Sequence, residues 1–392
     1  MSLKSISTFL ASVLLIGFTI ASGIIVYYFL TNLPKVQTTE ISSQASKVLS
    51  CAGDTFDVKV RNCNLLNGLV LWLPMDEGSG TITYDYSGYG NNGTLYNGTN
   101  ICSNPPTSGC PTWVDGKIGK ALSFDGSDDY VTIGNVGSGV TSGSSNDIGS
   151  LLGNGPFTVT LWYKPISNPG SSDWDFLLDQ RADINWGDGF YILNDGRLSN
   201  KILFGVADST SSEKTVNSNT QLQVNNWYHI VALYDGSAIR IYVNGNFENS
   251  VSQTTRRSNT VGAVIGSRYS KDQKYVNGII DEVHIYNRAL SEDEIKQLYY
   301  NGLTNKFNIT IGLLNFGYAD LGKSFNAIVY LKNGTILQLP LVLNRDLTKG
   351  SYLEKTLTID GYYPSYGLVD KIMVCSNDCQ GVCSEIKINN QC

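Results

Sequence analysis

The stretch GIIDEVHIYNRALS, Gly278 to Ser291, followed by SEDEIKQLYY from Ser291 to Tyr300, decides how the chain is read. Its opening residues are rich in Ile, Val and Tyr, which suit a pleated, half-buried surface. Successive side chains of a strand point to opposite faces, so Asp281 and Glu282 are expected to face apart. Glu282 and His284 then share a face with Tyr286, read here as an outer, solvated face. Ser291 with Glu294 three residues on has the form of a capping box, and Gly302 that of a helix stop. The stretch is a strand running into a short closing helix.

Upstream, the same texture repeats. Leu69–Leu73 leads into the loop Asp76-Glu77-Gly78, and Asp85 to Leu95 holds a Gly-Asn-Asn-Gly turn. Trp113 to Gly126, Asp128 to Val131, Phe157 to Tyr163, Asn226 to Ala232 and Ile239 to Gly245 follow, separated by turn residues. Forty glycines and 23 tyrosines fit many short strands better than helices. Alternating strands joined by Asn-Gly and Asp-Gly turns are what a two-sheet antiparallel sandwich requires.

These motifs, in this order over residues 68–302, resemble the laminin G-like, concanavalin A-like jelly-roll domain. The resemblance implies binding, with carbohydrate as a frequent ligand. It also implies Ca2+ where the early Asp-Glu-Gly loop, the Gly-Asn-Asn turn and the Ile-Asp-Glu-Val strand converge. On matching positions the expected ligands are Asp76, Asn91 and Asp281, with Asp125 and Asp129 in reserve; calcium favours carboxylate, carbonyl and amide oxygens. For a sugar, Trp174 and Trp186 are the candidate contacts, with Asp173, Asp175, Arg181 and Asp188 near them in sequence. Trp72, Trp162 and Trp227 sit in strand motifs and read as core.

Catalysis is not expected. A glycosidase needs two carboxyl groups about 5–10 Å apart across the bond, and the E-x-D-x-x-E strand of glucan-cutting enzymes is missing. The two histidines, His229 and His284, lie inside apolar strands, which leaves little for a Ser-His-Asp arrangement.

The chain opens differently. Ile6 to Leu30 carries no charge and is long enough for a bilayer-crossing helix, for which about 20 residues suffice. A secretory signal peptide is the competing reading, but the apolar run continues past Ala21-Ser22-Gly23. Lys4-Ser5-Ile6, the apolar stretch and Tyr27-Tyr28-Phe29 resemble the amino terminus of archaeal type IV pilin-like proteins. That resemblance implies processing between Ser5 and Ile6, a membrane stage before assembly, and other pilin subunits as partners of the helix. A plain signal-anchor helix reads nearly the same. Residues 31–52 continue as a polar stalk or linker.

Thr55 to Cys63 alternates as a half-buried strand. After Leu303, Lys306–Gly317, Phe325–Leu331, Thr335–Leu343 and Tyr352–Ile359 read as strands, with Val369–Val374 and Glu385–Ile388 as two more. Together with the late cysteines they resemble the small β-sandwich headgroup of archaeal pilins. The expected organisation is therefore residues 1–52 as leader and helix, 53–67 as the first headgroup strand, 68–302 as the jelly roll and 303–392 as the remaining headgroup. The jelly roll would be an insertion in the headgroup; two domains in series are the alternative. The fold class is mainly β, with a long hydrophobic N-terminal α-helix beside the two sandwiches.

Cys51, Cys63, Cys102, Cys110, Cys375, Cys379, Cys383 and Cys392 are disulfide candidates, and the sequons at Asn92, Asn97, Asn308 and Asn333 are candidates for glycosylation. Both features suit an oxidising, extracellular surface. Zinc at the last four cysteines is the other reading, though their spacing lacks a C-x2-C pair. A net charge of −6 argues against a nucleic-acid partner. The leading reading is a pilus-like subunit displaying a glycan-binding or surface-binding module. The alternatives are a membrane-anchored lectin that does not polymerise, and a surface glycan hydrolase.

Overall fold

The computed structural model describes residues 55–60, 65, 67–103, 109–136, 144–182, 187–210, 212–271, 274–304, 306–331, 334–360, 369–379 and 381–387. Two large sheets form one sandwich. The nine-stranded sheet runs Glu213–Gln221, Lys201–Ala207, Phe190–Asp195, Trp174–Asp179, Ala263–Ile265, Asp129–Ile133, Gly93–Asn97 and Ile82–Thr83, with Asn100–Ile101 beside Gly93–Asn97. The eight-stranded sheet runs Asn246–Ser252, Ala238–Val243, Tyr228–Tyr234, Phe157–Pro165, Asn277–Tyr286, Lys120–Asp125 and Thr112–Asp115, with Leu69–Leu73 on Asn277–Tyr286. Val131, Ile192 and Phe204 from the first sheet meet Leu161, Ile230 and Ile280 from the second in a single core, all fully buried.

Asn277–Tyr286 is the central strand of the eight-stranded sheet. One edge pairs with Phe157–Pro165 along its length. The other edge pairs first with Lys120–Asp125 and then, from Val283, with Leu69–Leu73. Between Asp281 and His284 the register shifts, and Glu282 takes a φ of 53°. The bulge overturns the simple alternation expected for this strand. Asp281 and Glu282 are both buried, and the face of Glu282, His284 and Tyr286 is covered rather than solvated.

What covers it is the closing helix, Glu292–Thr304, together with a second, smaller sandwich. The capping box forms: Ser291 N donates to Glu294 Oε2 at 2.8 Å and Glu294 N to Ser291 Oγ at 3.3 Å. Gly302 does not stop the helix, which continues to Thr304. Its bare Cα instead lets the Trp162 indole lie against it, since a Cβ there would come within 2.5 Å of the ring.

The smaller sandwich has a three-stranded sheet, Phe56–Val60, Lys306–Asn315 and Tyr352–Asp360, and a four-stranded sheet, Ile336–Val342, Ser324–Leu331, Val369–Ser376 and Cys383–Lys387. Phe56–Val60 lies antiparallel to Lys306–Asn315, with Val58 opposite Leu313. Strands from either side of the large sandwich therefore share one small sheet. Phe56, Ile311, Phe325 and Val329 form an apolar cluster that also takes in Trp72, Tyr286, Ile295 and Leu298.

The fold class needs one correction. The described residues are mainly β, and no helix among them is long and apolar enough to cross a membrane. The longest has 13 residues and begins Glu-Asp-Glu; at 1.5 Å per residue it spans about 20 Å, short of a hydrocarbon core of about 30 Å. The long apolar helix assigned to residues 1–52 lies outside the described residues. Cys102 pairs with Cys110 and Cys375 with Cys383, and Cys379 is also disulfide-bonded. Cys51, Cys63 and Cys392 lie outside the described residues.

Gly302→Val should cost about 1–3 kcal/mol, because the added methyl groups force the Trp162 indole off the helix. Chemical denaturation reads this, and an unchanged midpoint would mean the contact carries no stability.

Candidate functional site

The paired strands Trp174–Asp179 and Phe190–Asp195 position the most chemically loaded group of side chains. Trp174 lies opposite Asp195, and Asp175 opposite Asn194. By alternation Trp174 and Asp195 occupy one face of the sheet, and Asp175 and Asn194 the other.

On the Trp174 face, a 3₁₀ turn at Gly196–Leu198 brings Arg197 back over the sheet. Asp195 fixes it: Oδ1 accepts from Arg197 N and Nε at 2.9 Å each, and Oδ2 from Nη2 at 2.6 Å. The guanidinium carbon then stands 4.1 Å from the Trp174 ring centroid, and Lys274 Nζ 4.3 Å from it. Lys274 is itself held by Asp173, which also accepts from Trp174 N at 2.8 Å. Burial works against the charge of Asp173, but the hydrogen bonds from Lys274 and Trp174 outweigh it and keep the carboxyl below its ordinary value. The indole Nε1 is buried and donates to no partner. Further along this face the buried pair Arg181 and Asp179 joins Nε to Oδ1 at 2.8 Å. Its guanidinium lies 4.7 Å from the Tyr191 centroid and 5.1 Å from that of Phe176.

On the inner face, the fully buried Tyr163 hydroxyl approaches from the opposite sheet. It and both amide atoms of Asn194 lack well-formed hydrogen bonds. Burial and the charge of Asp175 push the Tyr163 hydroxyl far up, and Asn194 acts against that rise. Asp175 is pushed up to about 7, first by burial and then by Asp173, with Lys274 opposing.

Of the expected calcium ligands, Asp76 and Asp281 come together and Asn91 is engaged elsewhere. Asp281 Oδ2 accepts from Lys117 N at 2.8 Å and Ile118 N at 3.0 Å, and Asp76 Oδ1 from Lys120 N at 2.6 Å. These two carboxyls lie near each other: burial, and then the charge of Asp76, raise Asp281 well above the usual carboxylate range. Asn91 is engaged elsewhere, its backbone N–H with Asp85 at 2.9 Å and its side chain with Asn146 O at 2.9 Å. Asp125 and Asp129 do come together, and Asp128 joins them, with one ligand oxygen from each within 4.8 Å of the others.

Trp186, Ser5, Ile6 and Asn333 lie outside the described residues, as does the side chain of Asn308. Asn92 is exposed and Asn97 half-buried. Glu282 Oε2 accepts from Trp72 Nε1 at 3.0 Å, and the Trp72 ring stacks on His284 at 5.5 Å. Burial takes His284 down to about 4 and His229 to about 3. Sequence reasoning missed Arg197, Lys274, Asn194 and Tyr163, which come from separate segments with no shared local motif. Arg197, two residues after Asp195, carried the one available local signal.

Residues 125–296 match the family model of the concanavalin A-like lectin/glucanases superfamily. The chain thus carries a domain of that superfamily. Among solved structures it is similar to domain 4 of an extracellular GH43 arabinanase from Geobacillus stearothermophilus, solved with arabinotriose, at 18% identity and a TM-score of 0.40, covering 59% of this chain and 98% of that one. It is also similar to the receptor binding domain of botulinum neurotoxin mosaic serotype C/D, at 14% identity and 0.46, covering 79% and 70%. Trypanosoma rangeli sialidase is similar at 15% identity and 0.42, covering 59% of this chain but 32% of that enzyme. No curated protein matches the chain.

A carboxyl raised in the folded state favours its protonated form, so Asp175 supports folding below about pH 4, its unfolded range, and loses that contribution as pH rises towards 7. Asp175→Asn should therefore gain stability on wild type at pH 8 and little or none at pH 4. Urea unfolding at the two pH values checks the sign; an equal effect at both would show that Asp175 is not burdened by its charge.

Proposed function

We propose that this is an extracellular, lectin-like recognition protein that binds glycans without cleaving them. The observation that carries the reading is the Trp174 group: a half-buried indole framed by Arg197, Lys274, Asp173 and Asp195. Aromatic surface beside fixed hydrogen-bonding groups suits sugar rings, which carry apolar C–H faces and hydroxyl edges. The lectin/glucanase match over residues 125–296 supports the same class of ligand. The non-catalytic half of the proposal is supported by the carboxylates of the central strand. Asp281 accepts from two backbone N–H groups and Glu282 from Trp72, so both carboxylates of this strand are buried and hydrogen-bonded in the fold. The disulfides support an oxidising compartment.

Full-length protein screened against neutral oligosaccharides should bind a subset, and Trp174→Ala should weaken that binding at least tenfold. Release of shorter sugars by the wild type would overturn the non-catalytic reading, and no binding to any glycan the lectin reading itself.

A display role is the second reading, favoured by the strand Phe56–Val60 pairing with Lys306–Asn315. The small sandwich is completed from both sides of the large one, so it holds that domain out as an insert. We propose that it serves as the headgroup of a pilus-like subunit processed before Ile6. Mass spectrometry of protein from the cell surface should then find Ile6 as its first residue; Met1 or Ser2 there would overturn the subunit role.

A further inference from the structure

We propose that the Trp174 group selects sugars that carry a carboxylate, with Arg197 and Lys201 receiving that carboxylate. The inference rests on the lectin reading above and names the class of glycan that the same site takes.

Sheet register places the residues. Trp174 stands opposite Asp195, and Asp195 opposite Lys201 on the next strand, so the three side chains form one row on one face. Burial agrees with this. Ile202, the next residue along, is fully buried in the core between the two large sheets, whereas Lys201 is half-buried on the other side.

The geometry of Arg197 is the first argument. A guanidinium carries five N–H donors in one plane. Asp195 takes two of them, from Nε and from Nη2. The second hydrogen of Nη2 and both of Nη1 remain, and together they form the outer edge of the fork. Such an edge matches the two oxygens of a further carboxylate. It is also within reach, because the Arg197 side chain is 49% exposed and that of Asp195 only 1%. A ligand therefore meets the cation of this pair rather than its acid. Asp195 on one side and the Trp174 ring, 4.1 Å away, on the other already fix the guanidinium, so little side-chain freedom is lost on binding.

Charge is the second. Arg197 is answered by Asp195, and Lys274 by Asp173. Lys201 forms no ion pair among the described residues. Asp175 belongs to the opposite face, and burial pushes it up to about 7. The row thus holds one positive charge in excess, on a chain whose net charge is −6. A neutral sugar meets the same ring and hydrogen-bonding groups but leaves Lys201 unanswered. A uronate on the edge of Arg197 answers it, and charge complementarity of this kind decides between otherwise similar ligands.

Calorimetric titration of the full chain with oligosaccharides of galacturonate, glucuronate and mannuronate, each also as its methyl ester, tests the assignment. The ester keeps the rings and removes the charge. At least one acid should bind at least tenfold more tightly than its own ester, and the ratio should shrink as NaCl is raised. Lys201→Gln and Arg197→Gln should each bring that ratio towards one. Arg197→Lys, which keeps the charge but not the planar fork, should not restore it. Should circular dichroism show the Arg197 variants unfolded, Lys201→Gln is read alone. Equal affinity for every acid and its ester, or an unchanged ratio in Lys201→Gln, would overturn the inference and leave the lectin reading standing. Tighter binding of sulfated sugars than of any uronate would overturn the carboxylate assignment. Binding to no glycan, acidic or neutral, would overturn the lectin reading and this inference with it.

Discussion

A single buried carboxylate, Asp281, bridges the place where the central strand of the large sandwich changes neighbour. The central strand Asn277–Tyr286 changes neighbour midway, from Lys120–Asp125 to Leu69–Leu73. Where one partner ends and the other begins, the ladder has a gap, and the turn at residues 116–119 brings backbone N–H groups to it. Asp281 closes that gap by accepting from Lys117 and Ile118. The arrangement leaves no room for a side chain at Gly116, where a Cβ would lie 2.6 Å from Asp281 Oδ2. Burying the carboxyl is unfavourable, as its raised proton affinity records, yet an unpaired pair of N–H groups in the core would also be costly.

The bulge that follows has a second effect. With Glu282 at positive φ, the strand turns Glu282, His284 and Tyr286 onto one covered face. Trp72 stacks on His284 and donates to Glu282, so a polar group is satisfied beneath the helix and the small sandwich. Polar residues that would suit a surface are therefore part of a contact between the two sandwiches.

Much of this was legible in the sequence, though unevenly. The alternation of Leu69–Leu73, Phe157–Tyr163 and Gly278–Tyr286 and the Gly-rich turns announced a two-sheet sandwich, and Ser291 with Glu294 announced the helix start. Gly302 misled because its helix-stopping tendency is local, whereas the contact with Trp162 is tertiary. Asp281 and Glu282 misled because alternation assumes an unbroken register, and the change of neighbour that breaks it depends on two distant segments. The same holds at the candidate site. Trp174 was visible as an aromatic residue in a polar stretch, but Arg197 and Lys274 reach it only through folding. Asp125 and Asp129 were in view as reserve calcium ligands implied by the resemblance; that Asp128 stands beside them follows from the bend's geometry.

Where the large sandwich joins the small one, the entering and leaving strands are clamped to each other. Asn287 N donates to Gly68 O and Arg288 Nε to Asn67 O, each at 2.7 Å. A pull on anything gripped by the large sandwich would therefore be divided between two parallel tethers rooted in one base. The domain could neither spin freely nor be peeled open from a loose end, as a bead on a single string can.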